Sequence, residues 1–308
     1  MTPLRVGVWF DVSHLAYGGP TAVLVGTLLG FKQLREDIVV LLNEPGDVNW
    51  SLDGKDLRDV GPRAPNLVAG PMVLTLDDGE RDEYAENPTW KHGAGATVVV
   101  PTDWVRTFIS RAMPYGKPEG GGRRLALWPA GVDTRFFSPA PVPVKTQDFF
   151  IYYKSQRHAD LHRIHSMLFK SHFHLRGSVL AYYCYTPEML RAAARASRFC
   201  IVLDSTETQG LAMLEIMATG CPLFVVDCTT YKGNRMAMTG ASSCPCWSPK
   251  CGVKTSWETL ESDFASFLPT VSSYTPRAFV ESSYSWEAAA ASLLSLATTS
   301  GESKGGRS

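Results

Sequence analysis

The sequence lacks any apolar run near the ~18 residues that a membrane-spanning helix needs. Net charge is also absent: Lys plus Arg and Asp plus Glu each number 30. That balance argues against a chain that coats nucleic acid or anionic lipid, although a local basic patch stays open. The first residues enter a strand pattern directly, without the charged and apolar regions of a signal peptide, so a soluble protein of the cytoplasm is expected. The seven cysteines (Cys184, Cys200, Cys221, Cys228, Cys244, Cys246 and Cys251) are odd in number, which argues against a secreted disulfide framework. Complete metal sets are missing as well. Cys244, Cys246 and Cys251 have no further Cys or His at zinc spacing, and His158, His162 and His165 share a helix face without a carboxylate to complete a site. Neither a metal nor another cofactor is therefore expected. No G-x-G-x-x-G follows a strand, so a dinucleotide fingerprint is absent too.

What is present is globular: 44% hydrophobic and 19% charged residues over 308 positions, enough for two domains of ordinary size. The most informative stretch runs from Asp204 to Pro222. The apolar, β-branched run Phe199–Leu203 precedes it and reads as a buried strand. Small polar residues and Gly210 follow, and then Leu211, Leu214, Ile216, Met217 and Ala218 recur at roughly helical spacing. Gly220 and Pro222 end that helix, and Leu223–Val226 starts another buried strand. A loop of Ser, Thr, Gln and Gly before a helix aims backbone N–H groups and the positive end of the helix dipole at one point, which suits phosphate. Glu207 in that loop and Glu215, eight positions later, are placed to accept hydrogen bonds from sugar hydroxyls.

Along the chain, Leu4–Phe10 reads as a central parallel strand, followed by Gly18, Gly19 and Pro20, a helix from Thr21 to Leu34 and a second strand at Ile38–Leu42. Residues 43–63 read as connection with at most a short helix, Leu67–Val68 as a minor strand, and Met72–Leu76 as a strand ending on Asp77 and Asp78. Ligands of open α/β sheets gather beyond the carboxyl ends of strands, so Asp77 and Asp78 stand where chemistry occurs. No His lies beside them. Ala96–Val100 is a buried strand, with Thr102 and Asp103 opening a helix. Leu125–Trp128 is the next strand, and Pro139, Pro141 and Pro143 mark a stiff extended linker. Beyond it, Phe149–Tyr153 is a strand that runs into Lys154 and Arg157. Thr186 and Pro187 open a helix. An Ala-rich helix begins at Trp286 and runs to about Ala297.

These motifs together resemble the retaining glycosyltransferases of the GT-B fold, especially their family four. Glu207 and Glu215, with Gly210, Leu211 and Gly220–Pro222, match that family's E-x7-E stretch. Gly18 and Gly19 match its Gly-Gly after the first strand. Gly131–Val132–Asp133 with Phe137 and Pro139 matches the passage into its linker, with Ala130 where an Asn is usual. Tyr284–Glu287 matches its closing helix. The resemblance implies two doubly wound Rossmann-like α/β domains with a cleft between them: an acceptor-side domain over 1–144 and a nucleotide-sugar domain over 145–283. A crossover helix over 284–298 would pack back on the first domain, and 299–308 would be a disordered tail.

By the same resemblance the protein moves a sugar from a nucleotide-sugar donor to an acceptor hydroxyl with retention, and without a strictly required metal. Glu207 would hold the donor sugar and Glu215 the ribose. Gln209, Gly210 and Leu211, with Gly18 and Gly19, would bind phosphate. Lys154 would neutralise the departing diphosphate with help from Arg157, while Asp78 and His14 would act at the reacting centre. His14, after the first strand, and His92 are the candidates for the imidazole that the resemblance implies near Asp77 and Asp78. The cation pair departs from the family's Arg-then-Lys spacing. The acceptor is expected to be a carbohydrate or glycoconjugate, and nucleic acid stays open. Two alternatives stand beside this: transfer to an unusual acceptor such as a modified nucleic-acid base, or a GT-B-like binding subunit that has lost catalysis.

Overall fold

A computed structural model describes residues 2–10, 19–52, 64, 66–71, 97–112, 124–142, 144–155, 157–232 and 237–301. His14, Gly18, Asp77, Asp78 and His92 lie outside the described residues, as does the strand expected at Met72–Leu76. The chain divides into two compact units. One is drawn from Met1–Gly131, Lys232–Ala237 and Ser285–Ser308, the other from Val132–Tyr231 and Met238–Tyr284.

The first unit is built on a six-stranded parallel sheet. Its elements are β1 (Leu4–Trp9), α1 (Gly19–Leu34), β2 (Ile38–Leu42), β3 (Val48–Ser51), β4 (Leu67–Ala69), β5 (Thr97–Val100), α2 (Asp103–Ala112) and β6 (Arg124–Leu127). The strand order is β2-β1-β3-β4-β5-β6. Strand β3 corrects the expectation of a mere connection over 43–63. Its pattern Val48-Asn49-Trp50-Ser51 is half polar, yet all four residues are buried. Asn49 tolerates this because its amide donates to the Gly46 carbonyl at 3.0 Å and its Oδ1 accepts from Trp9 Nε1 at 3.2 Å. Trp50 is likewise satisfied, with Nε1 donating to the Gly70 carbonyl at 2.7 Å and its ring set edge-on to Trp128.

A C-terminal helix, Trp286–Gly301, belongs to this first unit and lies along α1. Glycines let the two backbones come close. A Cβ on Gly26 would sit 2.3 Å from Trp286 Nε1, and one on Gly30 would sit 2.4 Å from the Trp286 carbonyl oxygen. Trp128 Nε1 then donates to the Ala289 carbonyl at 2.8 Å, tying the helix to the end of the sheet.

The second unit has a five-stranded parallel sheet. Its elements run β7 (Gln147–Tyr153), α3 (His158–Ser171), β8 (Gly177–Ala181), α4 (Pro187–Ala196), β9 (Ser197–Leu203), α5 (Leu211–Ala218) and β10 (Leu223–Val226). A short ribbon of β11 (Thr230–Lys232) and β12 (Ala237–Thr239) follows, then β13 (Gly252–Thr255), α6 (Leu260–Phe267) and α7 (Pro276–Ser283). The order is β13-β10-β9-β7-β8, all parallel. Period-two alternation splits β7 and β9 between two cores. Phe150, Tyr152, Cys200 and Val202 pack toward Leu190, Leu214 and Met217, while Phe149, Ile151, Phe199 and Ile201 pack toward Ile164, Phe264 and Phe267. Each such fully buried side chain contributes about 1.5–3 kcal/mol, so the sheet rather than the loops carries the stability.

Helix α4 starts as its sequence requires: Thr186 Oγ1 accepts from Met189 N at 3.3 Å and Pro187 occupies the first turn. Arg277 on α7 donates to the carbonyls of Ala218 at 2.6 Å and Phe137 at 3.3 Å, satisfying the end of α5. Cys200, Cys221, Cys244, Cys246 and Cys251 are buried free thiols that pack as small apolar groups. Among the described residues no helix is long and apolar enough to cross a membrane.

Candidate donor site at the switch point of the second sheet

The order β8-β7-β9-β10-β13 has one topological switch point. From β7 the chain crosses to β8 on one side, and from β8 it returns past β7 to β9 on the other. The loops after β7 and β9 therefore part from each other and leave a crevice at the carboxyl ends of these strands, where open α/β sheets bind ligands. Register pairs Tyr153 with Leu203, so Lys154 and Asp204 leave the sheet side by side. The Lys154 and Ser155 amides both donate to the Leu203 carbonyl, at 2.9 and 3.1 Å, which pins the two loops together at their roots.

Lys154 is shared by two carboxylates. Its Nζ pairs closely with Glu207 Oε1 and stands 3.9 Å from Asp204 Oδ2, with the Tyr182 ring 4.8 Å away. Exposure falls inward through the cluster, from 27% for the Lys154 side chain to 12% for Glu207 and 1% for Asp204. Asp204 Oδ1 accepts from the Ser205 amide at 2.7 Å, whereas its buried Oδ2 has no hydrogen-bond partner among the described residues. Burial pushes the Asp204 carboxyl up to about 6 against the pull of Lys154 and Ser205, and burial lowers the Lys154 ammonium despite Asp204. Both partners thus shift toward their neutral forms: for this pair, loss of water outweighs mutual attraction.

The loop then runs to Gly210, which caps α5 in the left-handed region at φ +78°. That conformation suits glycine, and it starts α5 with the Leu211 and Ala212 N–H groups ahead of the first helical acceptor, while the Met213 amide already donates to the Gly210 carbonyl at 3.1 Å. Glu207 lies over this turn: a Cβ on Gly210 would come 3.8 Å from the Glu207 Cβ. Gln209 is buried and Leu211 half-buried beside it. Glu215 is half-buried in the second turn of α5. Burial alone pushes its carboxyl up to about 8, and no hydrogen bond or ion pair involves it among the described residues. Tyr185 stands near enough to feel its charge, and Tyr185 Oη lies 3.3 Å from Tyr152 Oη. Burial raises Tyr152 and Tyr182 and pushes Tyr185 up to about 12, so all three phenols stay neutral and protonated.

A second polar group supports the loop from behind. The Glu207 amide donates to the Ser242 carbonyl at 2.9 Å, and Ser243 Oγ donates to the Asp204 carbonyl at 3.2 Å. Asp227 and Lys254 hold Ser242 in turn, at 2.8 and 2.7 Å from its Oγ.

The structure therefore brings together Lys154, Glu207, Gln209, Gly210, Leu211 and, two turns into α5, Glu215. It does not bring Arg157 to them. Arg157 caps α3 and is exposed, and none of its hydrogen bonds or ion pairs reaches the Lys154 cluster. Gly19 is the exposed first residue of α1, and a Cβ there would meet nothing within 4 Å among the described residues. Three features escaped the sequence reading. Asp204 follows β9, and Asp78 was expected to follow a strand, so the rule that singled out Asp78 finds Asp204 as well. The tyrosines of the turn after β8 carried a visible aromatic signal. The Asp227–Ser242–Lys254 group carried none, because it joins three distant segments. Among the described residues no group of three or more His, Cys, Asp or Glu side chains is disposed to hold a metal.

No known protein family's sequence profile matches the chain, and no curated protein matches it. Solved structures do. Sucrose-phosphate synthase from Thermosynechococcus elongatus aligns with a TM-score of 0.56 at 12% identity, over 96% of this chain and 98% of that one. A lipopolysaccharide outer core galactosyltransferase aligns with a TM-score of 0.56 at 11% identity, over 96% and 99%. A glycosyltransferase involved in avilamycin A biosynthesis aligns with a TM-score of 0.54 at 12% identity, over 96% and 97%. The likeness covers nearly the full length on both sides and establishes the fold: two Rossmann-like α/β domains of GT-B type in one chain.

Proposed function

We propose that the protein is a glycosyltransferase that moves a sugar from a nucleotide-sugar donor to an acceptor hydroxyl, with retention at the anomeric carbon. The observation that carries the reading is the switch-point cluster. A lysine at the end of β7, an acidic loop after β9 and a glycine-capped helix N-terminus converge there, on a fold that solved glycosyltransferases share. In this reading Lys154 and the first-turn N–H groups of α5, around Gln209, Gly210 and Leu211, receive the donor diphosphate. As the glycosidic bond breaks, charge grows on the leaving phosphate oxygen, where a positioned ammonium and helix dipole are most effective. Glu207, once separated from Lys154, accepts hydroxyls of the donor sugar, and Glu215 accepts those of the ribose. The first domain supplies the acceptor side, through residues that include His14, Gly18, Gly19 and Asp78. Cations and the helix terminus do the work of a metal, so chelation leaves turnover unchanged.

Calorimetry with UDP-glucose, ADP-glucose and GDP-mannose, paired with a donor-hydrolysis assay, tests this. At least one donor should bind, and Lys154→Met should weaken that binding about tenfold or more by removing a charge-assisted contact. Absence of binding to every nucleotide-sugar tested, or binding that Glu215→Ala leaves unchanged, overturns the assignment. Binding without hydrolysis or transfer to any carbohydrate acceptor points instead to a binding subunit that has lost catalysis.

A further inference from the structure

Two carboxylates compete for one ammonium at this site, and they are not equivalent. Glu207 reaches the surface and can turn to sugar hydroxyls or water, whereas Asp204 cannot, since its side chain is 1% exposed. Among the described residues, the groups facing Asp204 from each packed element are few. Lys154 and Tyr152 come from β7, Tyr182 and Tyr185 from the turn after β8, Ser205 and Glu207 from its own loop, and Ser243 from the segment after β12. Of these only Lys154 is a cation, and it stands 3.9 Å from Asp204 Oδ2, an oxygen without a hydrogen bond. The phenols are neutral, and Ser243 reaches the Asp204 carbonyl rather than its carboxylate. Asp227 and Lys254 lie one hydrogen bond further out and pair with each other at 3.4 Å.

We propose that Asp204 takes up a proton when a diphosphate-containing donor draws Lys154 away from the carboxylate pair, so that donor binding here is proton-coupled. The inference rests on the nucleotide-sugar reading above. The incoming diphosphate claims the ammonium and adds negative charge to the same crevice. Asp204 then loses its one counter-charge while it stays out of water. A buried carboxylate in that position neutralises rather than remaining ionised. The proton comes from solvent and ends on Oδ2, which turns from an orphan acceptor into an O–H donor; the buffer keeps the matching base. Burial already holds this carboxyl at about 6 in the ligand-free protein, so a modest further rise brings it to neutrality. Asp204 is thus a positioning residue. Protonated, it releases Lys154 to the phosphate and removes a repelling charge from beneath it.

The test is calorimetry of UDP-glucose, ADP-glucose and GDP-mannose near pH 7, in buffers of different ionisation enthalpy. The diphosphate of these probes is blocked at both ends and has no titratable proton near neutrality. For whichever donor binds, the slope of observed enthalpy against buffer enthalpy should give uptake of a substantial fraction of one proton per site. Affinity should rise as pH falls toward 6. Asp204→Asn should lose this uptake, so that its slope lies below that of the wild type by the same fraction of a proton, any exchange at Glu215 being common to both, and Asp204→Glu should restore it. Equal slopes in the wild type and Asp204→Asn refute the proposal and leave the functional reading intact. If Asp204→Asn fails to fold, the slope of Glu215→Gln, which lacks the other raised carboxyl, decides: uptake there supports the proposal and its absence refutes it. A wild type that binds none of the probes removes both readings together.

Discussion

Glu215 lends itself to a quantitative test because its cost and its use separate cleanly. The carboxyl ionises near its ordinary 4.5 in an unfolded chain, whereas burial alone carries it to about 8 in the fold. Between those values the native state holds a proton that the unfolded state has lost. Stability therefore falls as pH rises through this window and is level on either side. Each pH unit is worth about 1.4 kcal/mol, so the window sets a ceiling near 5 kcal/mol, which water reaching the half-buried side chain reduces to roughly 2–3 kcal/mol. Glu215→Gln replaces the carboxyl with a neutral group of the same shape. It should match the wild type below the window and exceed it by that amount above pH 8. Urea unfolding of both proteins across the window, followed by tryptophan fluorescence, gives the difference directly. A difference between the two proteins that does not grow with pH would show that Glu215 is not desolvated as described. In the proposed reading the same variant binds nucleotide-sugar more weakly. A protein made more stable and less able to bind is the combination a purely structural role does not produce.

Three glycines give sharper local tests. Gly252 opens β13 at φ +142°, and a Cβ there would lie 1.9 Å from the Leu223 carbonyl oxygen of the neighbouring strand, a backbone atom that cannot move aside. Gly252→Ala should cost about 3 kcal/mol or more, read as a lowered urea midpoint. At Gly210 the added methyl meets the mobile Met213 Cε at 2.7 Å. Gly210→Ala should therefore cost only the left-handed strain, about 1–2 kcal/mol, while weakening donor binding by calorimetry. In the first unit, Gly30→Val drives a side chain into the Trp286 backbone carbonyl. The C-terminal helix should then detach, seen as rapid proteolysis near residue 285, whereas Leu29→Val on the exposed face of α1 should leave it resistant.

The strands were legible because their apolar, β-branched runs are unbroken. Leu223–Val226 is such a run buried along its whole length, and Ile38–Leu42 is another at the edge of its sheet, with Val39 and Leu42 exposed; the structure has strands with those bounds. β3 was not legible, because Asn49 and Ser51 break the run and the burial of Asn49 depends on partners at Gly46 and Trp9 that no local pattern reveals. The loop between β9 and α5 was readable for a related reason. It joins an apolar strand to an apolar helix, so Glu207, Gly210 and Glu215 stood out against their neighbours. The resemblance implied a pair of cations in Lys154 and Arg157, and the structure has Arg157 exposed at the extended residue that caps α3. Asp204 was hidden by its position. It reads as the end of a strand, and only the register of β7 against β9 sets it beside Lys154.

The charges around Lys154 are hard to explain by folding alone. A strand end needs no buried carboxylate, yet Asp204 sits there with one oxygen unbonded, and Glu215 sits in α5 with no partner among the described residues. Both are held away from their ordinary ionisation by loss of water, and both weaken the fold at neutral pH relative to neutral side chains of the same shape. Most core positions nearby, such as Val202, Leu214 and Met217, are apolar and fully buried, so the same elements accept cheaper residues elsewhere. Two destabilising acids at one switch point, beside a lysine whose ammonium is itself lowered by burial, form a group whose cost a ligand can offset. Ligands that satisfy them must bring hydroxyls for Glu215 and a charge that competes for Lys154. A nucleoside diphosphate sugar carries both on one molecule, whereas a neutral sugar or a lone phosphate carries only one. Neither methyl glucoside nor inorganic phosphate alone should therefore raise the Tm of the protein, while a donor carrying both should raise it through a stabilisation of RT ln(1 + [L]/Kd).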